Sequence, residues 1–135
     1  MSNLKKVLIV DDLASWQDSL AGLLSDIGCI LEFAATVPDA KQRLQSSKFD
    51  LCIIDIRLQE DVDYDVGGID LLEWLHKHKN NQPPAIILTG HGTEALRQKA
   101  VRFGVFAFLE KSSEEKGYNF DKTLFIDMVK EAMDI

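Results

Sequence analysis

Short runs of apolar residues recur along this chain, and polar residues follow each run. Residues 51–55 are the clearest case, because four apolar residues lead directly to the carboxylate of Asp55. Runs of this length without alternation are typical of strands buried on both faces of a parallel sheet. The pattern predicts five strands, the second of them weaker than the first, at residues 7–10, 30–35, 51–55, 85–89 and 105–109.

Helical spacing of apolar residues fills the intervals between these runs. The first helix carries apolar residues from Leu13 to Ile27 and ends at Gly28, and Thr36 begins the second. Further helices are predicted at residues 68–79, at 93–103, and from Phe120 to Met133. Strands that alternate with helices favour an α/β fold with right-handed crossovers. We therefore predict a doubly wound, five-stranded parallel sheet in the order 2-1-3-4-5, with helices on both faces.

Composition narrows the class of protein. A length of 135 residues is typical of a single domain, which we assign to residues 1–135, either free-standing or part of a longer protein. The net charge of −7 argues against a nucleic-acid surface, and no apolar run reaches the length of a membrane span. The apolar run near the start of the chain, residues 7–10, is too short for a secretory signal. Both cysteines, Cys29 and Cys52, lie among apolar neighbours. These features predict a cytoplasmic protein with reduced thiols.

Polar residues stand where four of the predicted strands end. They are Asp11 and Asp12 after the first strand, Asp55 at the third, Thr89 at the fourth and Lys111 after the fifth. The carboxyl ends of parallel strands border one crevice, so these side chains should converge. Three carboxylates repel one another unless a cation lies among them, and oxygen ligands suit Mg²⁺. A hydroxyl and an ammonium suit the oxygens of a phosphoryl group. Taken singly, each has an ordinary alternative, such as Asp12 capping the first helix.

Four motifs together resemble the receiver domain of two-component response regulators, which has the flavodoxin-like fold of the chemotaxis regulators. They are Val-Asp11-Asp12, Ile-Ile-Asp55-Ile-Arg-Leu, Ile-Leu-Thr89-Gly-His-Gly and Phe108-Leu-Glu-Lys111, in that order and spacing. The resemblance covers essentially the whole chain. It implies a signalling phosphoacceptor, not an enzyme, which assists its own phosphotransfer and slow dephosphorylation. Its partner would be a sensor histidine kinase or a histidine phosphotransfer protein.

The resemblance also implies a role for each residue. Asp55 would accept the phosphoryl group, while Lys111 would pair with Asp55 and then with that group. Mg²⁺ would be held by Asp12, Asp55 and the backbone carbonyl of Arg57, with Asp11 acting through water. Thr89 would hydrogen-bond a phosphoryl oxygen, and Phe108 would change rotamer with it. The fourth helix, fifth strand and last helix would form the signalling face, through which a homodimer could also form.

Two features depart from the family pattern. Ser112 follows Lys111 where a proline is usual, and an acidic segment at residues 60–65 replaces a short turn. Its aspartates lack the offsets of a calcium-binding EF-hand, since glycine falls at the seventh position of the loop and Leu72 at the twelfth. The resemblance also implies that Arg57 and His91 flank the path of the hydrolytic water, which predicts a long-lived aspartyl phosphate. The alternative is that both are ordinary surface residues, because loops at strand ends are exposed.

Three other functions remain as alternatives. A receiver-like interaction module that works without phosphorylation is disfavoured by the complete set of acidic, hydroxyl and lysine residues. A Mg²⁺-dependent phosphatase would need a second acid soon after the nucleophile, and position 57 is arginine. A flavin-binding protein would need a phosphate-cradling loop after the first strand, where Asp11 and Asp12 would repel phosphate.

Overall fold

Strands and helices alternate in the computed structural model, which describes residues 4–56, 66–78, 82–90, 92–111 and 120–135. The strands are β1 (Lys6–Val10), β2 (Ile30–Ala34), β3 (Leu51–Ile54), β4 (Ala85–Thr89) and β5 (Ala107–Glu110). The helices are α1 (Ala14–Leu24), α2 (Val37–Ser46), α3 (Gly67–Lys77), α4 (Glu94–Arg102) and α5 (Lys122–Met133). A 3-10 turn at Ser25–Ile27 follows α1 and ends at Gly28, whose φ of 74° favours glycine.

One parallel sheet in the order β2-β1-β3-β4-β5 organises the chain, as predicted. The strand β3 is buried along its whole length between β1 and β4. Val10 of β1 and Ile54 of β3 are the last residues of their strands and lie opposite each other. Ile87 of β4 lies level with Ile54, and β4 continues two residues further, to Thr89, along the edge where the polar residues follow.

Successive side chains of the strands enter two separate hydrophobic cores. On one face, Leu8, Cys52 and Ile87 pack with α2, α3 and α4. On the other face, Ile9, Ile53 and Leu88 pack with α1 and α5. Because residues along a strand point alternately to opposite faces, the unbroken apolar runs of the sequence serve both cores at once. This arrangement confirms the predicted helices on both faces.

Two predicted boundaries are wrong for reasons of tertiary structure. The fifth strand starts at Ala107, not at residue 105, because the backbone N–H of Val105 donates to Ala100 at the end of α4 (3.1 Å). The last helix starts at Lys122, two residues after Phe120, because Asp121 caps it by accepting a hydrogen bond from Leu124 N (2.9 Å). Other boundaries differ by one or two residues.

No helix in the described part of the chain combines the length and the apolar character that crossing a membrane requires. The predicted features at Arg57, at His91, in the acidic segment and at Ser112 lie outside the described residues.

Candidate functional site

The end of β1 places Asp11 at the edge of the sheet. Its backbone N–H continues the ladder to Ala34 O (3.0 Å), and its carbonyl accepts a hydrogen bond from the Gln17 side chain (2.7 Å). Asp11 Oδ1 in turn accepts from Leu13 N (3.0 Å). Leu13 is the N-cap residue of α1, so Asp12 is not the cap of that helix. Asp11, although charged by nature, is only 3% exposed.

The end of β3 fixes Asp55 from two sides. Asp55 N donates to Val10 O (2.9 Å), which ties the residue to β1. On the other side, Gly68 N donates to Ile56 O (2.8 Å), which brings the first turn of α3 against the same backbone. A Cβ at Gly68 would overlap the Asp55 carbonyl oxygen and would lie 2.6 Å from Ile56 Cα, so only glycine allows this approach. Asp55 is 1% exposed.

Strands β4 and β5 contribute the hydroxyl and the ammonium. Thr89, the last residue of β4, is fully buried, and its carbonyl accepts from Lys111 N (2.9 Å). That backbone bond sets Lys111 directly after β5, with only 6% of the residue exposed. A lysine at such low exposure requires a charged partner.

Lys111 finds two such partners. Its Nζ lies 2.8 Å from Asp11 Oδ2 and 3.0 Å from Asp55 Oδ2. The structure therefore brings together three of the predicted site residues from strands one, three and five. The pairing of Lys111 with Asp11 was not predicted, because the sequence gives the order of the strand ends and not the reach of the lysine between them.

The three predicted carboxylates also meet. One oxygen from each of Asp11, Asp12 and Asp55 lies within 4.8 Å of the others. Burial raises the pKa of Asp11, although the hydrogen bond and the charge of Lys111 act in the opposite direction. Asp55 Oδ1 is buried and has no hydrogen-bond partner among the residues that the structure describes. A cluster of carboxylate oxygens attracts a divalent cation, and oxygen ligands suit a hard ion such as Mg²⁺.

Thr89 and Phe108, the predicted switch pair, lie on neighbouring strands. Phe108 pairs with Ile87 in the β4–β5 ladder and packs against the core formed with α3 and α4. Because side chains two residues apart on a strand point to the same face, Thr89 lies on the same face of the sheet as Ile87. A Cβ at Gly92 would lie only 3.0 Å from the Phe108 ring. Glycine at this position therefore avoids a steric clash with the ring beside the loop after β4.

Trp16 is a member of the site that sequence reasoning missed. It was predicted only as an apolar position of the first helix, yet the Lys111 ammonium lies over its ring, 4.7 Å from the centroid. The position of a tryptophan one turn into the helix after Asp11 and Asp12 was the available signal. Nothing in the spacing shows, however, that the lysine nearly a hundred residues later reaches it.

Comparison with known proteins gives a consistent result. The family described as "Response regulator receiver domain" matches residues 7–118. The chain is 31% identical over 107 residues to the response regulator protein PilR of Pseudomonas aeruginosa, covering 79% of this chain and 23% of PilR. It is 32% identical over 115 residues to the transcriptional regulatory protein FixJ of Bradyrhizobium diazoefficiens, covering 81% and 50%. The chain thus spans half or less of these relatives.

Solved structures agree with this match. A CheY-like receiver domain protein from Methanospirillum hungatei superposes with a TM-score of 0.81 at 27% identity, covering 98% of this chain and 95% of that one. The receiver domain of NtrX from Brucella abortus gives 0.77 at 27% identity, covering 95% and 98%. With its sheet order, its acidic cluster and these likenesses, the chain belongs to the receiver domains of response regulators.

Proposed function

We propose that this receiver domain accepts a phosphoryl group from a phosphohistidine onto the side chain of Asp55. The observation that supports this most is the position of the Asp55 carboxylate. It is buried at the end of the central strand, with Oδ2 held by Lys111 and Oδ1 without a hydrogen-bond partner in the described part of the chain. A buried, oriented carboxylate is a suitable nucleophile for phosphoryl transfer.

The transfer is a displacement at phosphorus. A carboxylate oxygen of Asp55 forms the new O–P bond as the N–P bond to the donor histidine breaks. The leaving imidazole nitrogen keeps the electron pair of that bond and takes a proton from solvent. Catalysis of such a step is mainly positioning and charge stabilisation. The rigid backbone of Asp55, tied to β1 and pressed by Gly68, supplies the positioning.

Lys111 and Thr89 act on the transferred group. Lys111 balances the charge of Asp55 before the transfer, and its N–H groups can then donate to a phosphoryl oxygen. The Thr89 hydroxyl donates to another phosphoryl oxygen from the end of β4, and Phe108 follows that movement by changing rotamer. This small displacement biases the packing of the last two strand–helix units, so that the signalling face of α4, β5 and α5 changes.

The acidic cluster would hold Mg²⁺. Asp12, Asp55 and the backbone carbonyl of Arg57 would be direct ligands, and Asp11 would act through water. The ion would supply charge neutralisation between the carboxylates and the incoming phosphoryl oxygens. The support for this assignment is the mutual approach of three carboxylates, two of which pair with the Lys111 ammonium.

The partners follow from the donor chemistry. We assign a sensor histidine kinase or a histidine phosphotransfer protein as the phosphoryl donor, and the cytoplasm as the location. The signalling face could also form a homodimer. Exposed apolar side chains on or beside it, at Val101, Phe106 and Leu124, support a contact surface there. We treat residues 1–135 as one receiver domain, because the described sheet and its helices run from Lys6 to Met133.

Acetyl phosphate with Mg²⁺ tests the proposal without the natural donor. Intact mass should show one added phosphoryl group in the wild type and none in Asp55→Asn. The matched control is Asp50→Asn at the other end of β3, where Asp50 Oδ2 accepts Lys6 N (2.9 Å). Asp50→Asn should be phosphorylated like the wild type. An adduct of equal yield in Asp55→Asn would refute the assignment.

A further inference from the structure

Trp16 connects the active-site lysine to the helical layer beside it. The residue lies in the first turn of α1, half-buried, and its ring forms an edge-to-face pair with Phe120 at 5.4 Å and 82°. Its face is covered by the Lys111 ammonium at 4.7 Å. The ring also lines a groove of about 430 Å³ between α1 and the start of α5.

The contacts of Lys111 explain what such a ring can do. An ammonium has three N–H donors, and those of Lys111 serve Asp11 (2.8 Å) and Asp55 (3.0 Å). The negative face of an indole attracts a cation without requiring a particular N–H direction. The attraction therefore persists while the ammonium rotates, whereas a hydrogen bond to a fixed acceptor would be lost. Exclusion of water on this side also strengthens the ion pairs of the lysine.

Resting on the proposed transfer to Asp55, we propose that Trp16 is a positioning residue of that reaction. Its ring holds the Lys111 ammonium at the carboxylate pair while the N–H groups turn from Asp55 Oδ2 to the incoming phosphoryl oxygen. Trp16 itself touches neither Asp55 nor the donor in this role. Phe120 contributes indirectly, because its edge contact orients the indole.

The contact can first be tested without any phosphoryl donor. A lysine methylene beside an indole face experiences a ring current, so the Hε protons of Lys111 should resonate upfield of those of surface lysines in NMR spectra. Trp16→Leu should remove this shift, and Trp16→Phe should retain part of it. Lys111 shifts that are ordinary in the wild type, or unchanged in Trp16→Leu, would overturn the proposal.

The role in the reaction is tested by lowering the electron density on the face of the indole ring while nearly preserving its size. The sequence contains two tryptophans. In a Trp74→Phe background, incorporation of mono-, di- and trifluorotryptophan alters Trp16 alone. Each fluorine weakens the negative face while nearly preserving volume. The rate of Asp55 phosphorylation by acetyl phosphate should fall stepwise with fluorine number. In Trp16→Leu it should fall about three- to tenfold, the range expected for a partly desolvated cation–π contact.

Trp74→Phe is the matched control, because Trp74 lies under a different lysine, Lys41, at 5.7 Å on the opposite side of the sheet. It should phosphorylate at the wild-type rate. A slow Trp16→Leu variant combined with a flat fluorination series would show a purely structural role and overturn the proposal, as would equal rates throughout. No phosphoadduct in the wild type would instead overturn the proposed function, and the positioning role with it. The NMR shift would then still report whether the contact exists.

Discussion

Replacement of Gly68 by alanine should destabilise the protein, although alanine is the better helix former. Gly68 lies in the first turn of α3 and is buried. An added Cβ would overlap the carbonyl oxygen of Asp55 and would lie 2.6 Å from Ile56 Cα and 2.7 Å from Asp55 C. All three are backbone atoms of the segment that carries the proposed phosphoacceptor, so no flexible side chain can move aside.

The magnitude follows from three contributions. Overpacking that forces a backbone shift costs about 1–3 kcal/mol. Movement of α3 away from the clash would stretch the hydrogen bond from Gly68 N to Ile56 O (2.8 Å), which contributes about 1 kcal/mol. The higher helix propensity of alanine returns at most about 1 kcal/mol. With these contributions combined, we expect Gly68→Ala to lower the free energy of unfolding by about 1–3 kcal/mol. Phosphorylation of Asp55 should slow as well, because the displaced carbonyl belongs to that residue.

Urea denaturation followed by circular dichroism measures the first effect. The matched control is Gly22→Ala in α1, an exposed helical glycine with nothing within 4 Å of an added Cβ. That variant should gain about 0.5–1 kcal/mol, so the two substitutions should have opposite signs. If Gly68→Ala unfolds at the wild-type midpoint or later, α3 does not press on the Asp55 backbone and the reasoning fails.

Three further outcomes are expected. Salt bridges to Lys6 (2.7 Å) and Arg43 (3.0 Å) hold the pKa of Glu32 below its usual range, so Glu32 stabilises the fold above pH 4.5 and this contribution is lost as the pH falls. Glu32→Gln should therefore cost about 0.5–1 kcal/mol at neutral pH and progressively less below pH 4.5, and an equal cost at both would contradict the argument. Asp12→Ala should weaken Mg²⁺ binding by about tenfold or more, measured by the shift in melting temperature, and unchanged affinity would exclude Asp12 as a ligand. Beryllofluoride should alter amide exchange chiefly in α4, β5 and α5. Changes confined to α1 and α2 would show that α4, β5 and α5 do not form the signalling face.

The sequence predicted the sheet well because its signals are local. Apolar runs mark the strands, and a fold with five strand–helix units brings the strand ends together. The convergence of Asp11, Asp55 and Lys111 followed from order alone. The start of β5 could not be predicted in the same way, because Val105 is as apolar as the strand residues. The backbone N–H of Val105 donates to the carbonyl of Ala100 in α4, and this hydrogen bond depends on the tertiary packing of α4.

The sequence also could not predict which side chains from distant parts of the chain contact each other. Lys111 bonds to Asp11 as well as Asp55 and lies over Trp16, three contacts that each join distant parts of the chain. Hydrophobic periodicity places Trp16 on the inner face of a helix and says nothing about which cation faces its ring. Glycine at position 68 likewise reads as a helix start, while its reason is the backbone of Asp55.

The division of the interior into two cores has a consequence for how the protein unfolds. Ile53 and Ile54 are neighbours in sequence, yet each belongs to a different core. Neither layer of helices can therefore detach without exposing alternate residues of the same strands, which still belong to the other layer. The two tryptophans lie on opposite layers, Trp16 with α1 and α5 and Trp74 with α2 and α3. Fluorescence of each single-tryptophan variant thus reports one layer, and coincident transitions would mark a single cooperative unit in which the strands, more than the helices, transmit the loss of order.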